Sequence, residues 1–153
     1  MLKALIFDFD GLILDTEAPE FDVLQDIYAE YNAELSIQKW GQIIGGSGAT
    51  EFDPILDLEN LAGVEIPRGE IKKRWRKEAN ERIVLNPILP GVLELLDGAK
   101  DRAVKLAIAS SSPHEWVDTH LQRLGIFDRF EYIVCADDVT RTKPSSLKIL
   151  PMV

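Results

Sequence analysis

The sequence predicts an α/β protein: a parallel-sheet core interrupted by an all-helical insert. Three observations carry that expectation. Leu2 with Ala4 to Phe7, Val104 to Ala109 and Tyr132 to Cys135 are short, mainly apolar runs, the pattern of strands buried on both faces of a parallel sheet. Helical spacing fills Gly91 to Arg102 and Pro113 to Leu124, alternating with the later runs as β-α units do. Residues 17–86 read as helices alone, which sets them apart from a core made of 1–16 and 87–153.

Composition narrows the class of partner. With 153 residues, 46% hydrophobic and 28% charged, the chain is long enough for one core and a small lobe. Its net charge of −9 opposes nucleic acid and anionic membrane surfaces. No apolar run approaches membrane-spanning length and the N-terminus leads directly into the first strand, which predicts a cytoplasmic protein without a signal peptide. Cys135 has no second cysteine to pair with, and its setting, Tyr-Ile-Val-Cys-Ala, predicts a buried strand thiol rather than a nucleophile.

The first strand ends abruptly in acids. Side chains alternate at period two, so Asp8 and Asp10 project toward one side just past the strand, while Gly11 permits a sharp turn. Open α/β sheets keep their ligands at this end of their strands. Two carboxylates so close repel each other unless a cation sits between them, and a hard ion such as Mg²⁺ is the natural candidate. Such a pair can bring in a phosphate, one acid attacking phosphorus while the other handles a proton. The plain alternative for a D-x-D is an acidic strand-to-loop junction.

The insert follows. Thr16 is placed to cap a helix with Pro19 in its first turn and Phe21, Leu24, Ile27, Tyr28 and Tyr31 at helical spacing. Ser36 is placed to cap a second through Trp40 and Ile44, ending at Gly45-Gly46-Ser47-Gly48, read as a helix stop rather than a phosphate loop. A third spans about Thr50 to Leu61 with Gly63 as its stop, and a fourth about Pro67 to Leu85. The basic run Lys72 to Lys77 is interleaved with glutamates and predicts a solvated face, with Trp75 as packing. Pro87 and Pro90 bracket the return to the core.

In the second half, Ser110 to Ser112 fall at the carboxyl end of a strand and the mouth of a helix, where hydroxyls and free N–H groups either bind an anion or simply cap. His114 and His120 lack metal-ligand partners at suitable spacing and are expected as surface or capping residues. Asp137-Asp138 closes the third strand, and Lys143-Pro144 follows a short polar loop.

The string Phe7-Asp-Phe-Asp-Gly-Leu-Ile-Leu-Asp-Thr-Glu17 resembles the first motif of the haloacid dehalogenase-like hydrolases, in the β-phosphoglucomutase and phosphoglycolate phosphatase branch. Leu89-Pro-Gly-Val-Leu-Glu-Leu-Leu96, Leu106-Ala-Ile-Ala-Ser-Ser-Ser112, and Leu124 to Phe130 with Ile133 to Lys143-Pro144 resemble later segments, in the right order, from residue 1 to about 144. The resemblance implies a Rossmann-like core, a helical cap at 17–86, and a Mg²⁺-dependent phosphatase acting on a small phosphorylated metabolite. It implies Asp8 as nucleophile, Asp10 as acid and base, Asp8 and the Asp10 carbonyl as metal ligands, Ser110 and Lys143 on the phosphoryl group, and Gly11, Thr16 and Ser111 about the substrate. Mutase relatives carry a histidine four residues beyond the motif threonine, where this chain has Glu20, which favours hydrolysis over the mutase alternative. Many relatives also place a substrate-gripping arginine near Gly46.

After Lys143-Pro144 the pattern departs: Ser145-Ser-Leu-Lys-Ile-Leu-Pro-Met-Val153 stands where members continue to an acidic motif that completes the metal site. The expectation is a truncated chain, from a frameshifted or prematurely ended reading frame, with fewer metal ligands. The strand of Asp8 becomes an exposed sheet edge open to self-association. A non-catalytic product or interaction module is the rival reading.

Overall fold

In a computed structural model, residues 2–44, 52–140 and 143 are described. The chain divides into two units, 1–15 with 86–153, and 16–85. The glycine-rich stretch at 45–48, Pro144 and the segment from Ser145 lie outside the described residues.

The first unit is built on a sheet of three parallel strands, β1 (Ala4–Phe7), β2 (Lys105–Ala109) and β3 (Tyr132–Val134), in the order β1-β2-β3. The register pairs Phe7 with Ile108 and Ala109 with Val134, so all three strands discharge their carboxyl ends together. Cys135 lies just beyond β3 and is buried. Among the described residues β1 pairs with β2 alone, and Ile6 is 37% exposed on it. Past β1 the chain folds tightly over itself: Gly11, at φ 69, donates to Leu14 O, and the Ile13 N–H returns to Phe9 O. This turn seats Phe9, Ile13 and Leu14 in the core with Leu106, Ala107 and Ile108. Helix α5 (Val92–Asp101) buries Val92, Leu96 and Ala99, and α6 (His114–Arg123) buries Val117, His120 and Leu121.

The second unit contains α1 (Glu17–Glu30), α2 (Ile37–Trp40), α3 (Pro54–Ala62) and α4 (Arg68–Ile83). Leu24, Ile27 and Tyr28 face its core as their spacing predicts. Three local expectations are corrected. Thr16 precedes α1 in helical conformation and makes no side-chain cap bond, because a cap residue must be extended to turn its oxygen onto the first N–H groups. Ser36 does cap α2, its hydroxyl accepting from the Lys39 N–H, but α2 ends at Trp40 and passes into a turn. Helix α3 begins at Pro54, not near Thr50; extended Asp53 accepts from the N–H groups of Ile55 and Leu56, and proline suits the position that follows a cap. Gly63, at φ 67, stops α3. The basic run is paired in part: Arg74 forks onto Glu30 and also binds Glu78, while Trp75 donates to Glu20 O and meets the edge of Trp40.

Candidate active site

The chain's chemistry-bearing residues gather at the carboxyl ends of β1 and β2. Asp8 is half exposed; one of its oxygens accepts from the Phe9 N–H at 2.8 Å, and the other meets Lys143 Nζ at 2.5 Å. The sequence places 134 residues between these two, and the fold brings them into contact. Asp10 is held apart from them by donors of its own. Ser112 Oγ donates to Oδ2 at 2.6 Å, Trp116 Nε1 donates to Oδ1 at 2.9 Å, and Ser110 Oγ lies 3.4 Å from Oδ2, too far for a strong bond.

The serine run divides its tasks. Ser110 is buried, its N–H paired with Val134 O and its hydroxyl accepting from the Ser112 N–H at 3.0 Å. Ser111 is exposed. Ser112 is the serine that grips Asp10, and its carbonyl accepts from Ala136 N–H, joining this loop to the 3₁₀ turn after β3. Gly11 is exposed beside Asp10, whereas Thr16 is buried at the start of the helical unit.

Sequence reasoning missed Trp116 and misplaced His120. The imidazole of His120 is 3% exposed, stacked over Phe9 and struck by the edge of Trp116 at 4.3 Å, rather than at the surface. Burial, helped by Arg123 and opposed by Asp10, holds its pKa below the ordinary value, so it is neutral. The available signal was spacing: Trp116 and His120 stand one turn apart, flanking Val117 and Leu121 on a helix that opens at the serine run. His114 is the first residue of α6 and is capped rather than capping. Its N–H donates to Asp137, and its ring bridges Asp118 and Asp138, whose hydrogen bonds outweigh burial and raise its pKa.

As a metal site the arrangement is partial. Asp8 offers hard oxygens at an accessible position, the donor type Mg²⁺ takes. Among the described residues no three His, Cys, Asp or Glu side chains gather to hold an ion. No described helix is long and apolar enough to cross a membrane.

A sequence profile of the haloacid dehalogenase-like hydrolases matches residues 5–153. The chain belongs to that family. This haloacid dehalogenase-like chain is 44% identical over 145 residues to YhcW of Bacillus subtilis, provisionally named a phosphatase, matching 95% of this chain and 65% of that protein. It is 30% identical over 155 residues to an N-acetylmuramic acid 6-phosphate phosphatase of Pseudomonas aeruginosa, covering 97% of this chain and 66% of the relative. Among solved structures it resembles a Thermotoga maritima protein provisionally called a β-phosphoglucomutase, at 28% identity and a TM-score of 0.76, over 98% of this chain and 68% of the other. The chain thus spans about 65% of the length of these two curated relatives. The family membership and the likeness in structure establish a Rossmann-like core.

Proposed function

We propose that this chain carries the chemistry of a Mg²⁺-dependent phosphatase acting on a small phosphate monoester. The observation that supports it best is the Lys143–Asp8 contact of 2.5 Å at the carboxyl end of β1, with Asp10 separately oriented by Ser112 and Trp116. A carboxylate oxygen of Asp8 attacks phosphorus, forming a P–O bond as the ester P–O bond breaks, and Asp10 gives its proton to the departing oxygen. Asp10 then takes a proton from water, whose oxygen attacks the aspartyl-phosphate, releasing phosphate and restoring Asp8. Lys143 and the Ser110 hydroxyl balance charge on the phosphoryl oxygens. Mg²⁺, held by the Asp8 carboxylate and the Asp10 carbonyl, would supply further charge withdrawal at the same oxygens. In this reading the helical segment 17–86 is the cap that selects the ester.

The test is phosphate release from an aryl phosphate by the 153-residue chain, with and without Mg²⁺, beside Asp8→Asn. Metal-dependent release that vanishes in the variant is expected; release retained in Asp8→Asn overturns the assignment. The likeness to a protein called a β-phosphoglucomutase favours a second reading, phosphoryl transfer between sugar hydroxyls. Sugar-phosphate isomerisation without free phosphate would establish it.

A further inference from the structure

We propose that Trp116 is a positioning residue for Asp10, fixing with Ser112 which carboxylate oxygen faces which partner. The proposal rests on the reading of Asp10 as the acid. Each Asp10 oxygen has its own side-chain donor, Trp116 Nε1 on Oδ1 at 2.9 Å and Ser112 Oγ on Oδ2 at 2.6 Å. The two donors are chemically unequal. An indole nitrogen donates and never accepts, so Oδ1 is bound as an acceptor whether or not the acid carries a proton. A serine hydroxyl rotates between donating and accepting, so Oδ2 has a partner that can follow a change at that oxygen while Oδ1 does not.

Both donors are fixed in turn. Ser112 is tied by its N–H to Ser110 Oγ and by its carbonyl to the Ala136 N–H. Trp116 rests edge-on against buried His120, itself stacked over Phe9, the residue between the two acids. Arg123 Nε, on the same helix, lies 3.4 Å from His120 Nδ1. Rigid donors of this kind remove rotational freedom from the acid before substrate arrives.

The first test needs no turnover. The chain has three tryptophans, hence three indole N–H resonances in a ¹⁵N-labelled sample, and Trp116→Phe identifies one. Asp10→Ala is expected to move that resonance upfield and speed its exchange with water while those of Trp40 and Trp75 stay in place, which also reports an intact fold. Asp10→Asn should move it in the same direction by less. A Trp116 resonance indifferent to both overturns the proposal.

The second test compares an alkyl phosphate, whose leaving oxygen needs a proton, with a dinitrophenyl phosphate, whose does not. Trp116→Phe should lose about tenfold more kcat on the alkyl ester than on the aryl ester. Equal loss on both overturns positioning and marks a packing role. If Asp10→Asn itself fails to discriminate the two esters, the acid assignment falls, and the indole resonance alone decides the contact.

Discussion

The two units put their carboxylates to opposite uses. In the helical unit Asp57 is 17% exposed and closed off: Lys39 Nζ reaches both its oxygens at 2.6 and 2.8 Å, and the Tyr28 hydroxyl lies at 3.2 Å while donating to Pro54 O at 2.5 Å. One acid thereby ties α1, α2 and α3 together, and burial with the Asp57 and Asp53 charges pushes the Tyr28 phenol well above its ordinary range. In the α/β unit Asp8 is 47% exposed and Lys143 37%, at strand ends where the sheet stops supplying neighbours. A crosslink gains by having no open side. A site that must meet a ligand needs one.

By that contrast, substitutions in one unit change rate and in the other stability. Lys143→Ala should lower kcat/KM on an aryl phosphate by ~100-fold or more, because it removes the charge that the proposed mechanism sets against the phosphoryl group. Its exposed pair should cost less than about 1 kcal/mol in urea unfolding. A stability loss as large as the rate loss would erase the distinction. Asp57→Ala should cost about 1–3 kcal/mol, since it strips Lys39 of a largely buried acceptor, while leaving the rate on an unselective aryl ester nearly intact.

The two histidines sharpen the comparison within the α/β unit. His114 has its pKa raised, so its contribution to stability is full below about pH 6.5 and lost as pH rises through the folded value. His120 is lowered, so its contribution is present above about pH 6.5 and lost as pH falls toward its folded value. Proton NMR titration should show the two rings moving apart, and His114→Gln should flatten the alkaline side of the stability profile alone. The smallest effect belongs to the exposed Arg82–Asp26 pair at 2.6 Å: Arg82→Ala should shift stability by less than about 0.5 kcal/mol and leave the rate unchanged.

Much of this architecture could be read in advance because it depends on neighbours in sequence. Strand and helix spacing, the Gly63 stop, the Ser36 cap and the Asp8-x-Asp10 placement are local patterns. The failures were of two kinds. Thr16 has the right side chain for capping, but whether a residue caps depends on its backbone angle, which composition does not reveal; Asp53 has the angle. Trp116 and Ser112 reach Asp10 across more than 100 residues, a pairing that exists only once β1 and β2 lie in register. His120 was misjudged because imidazole suits both water and a core, and only the aromatic faces of Phe9 and Trp116 decide between them.

The chain leaves the α/β unit and returns to it through one doorway. Leu14 bridges Ile88 antiparallel, the Leu89 N–H binds Ile13 O, and the Asn86 side chain donates to Asp15 O at 2.8 Å. The exit and re-entry points are neighbours in space, so the sheet's own closure asks nothing of residues 16–85 except that their two ends meet. Closing that gap with a short turn would carry little loop entropy. In engineering terms the lobe is a cassette: a segment of another length with the same two ends can be set between Asp15 and Asn86 without cutting the sheet.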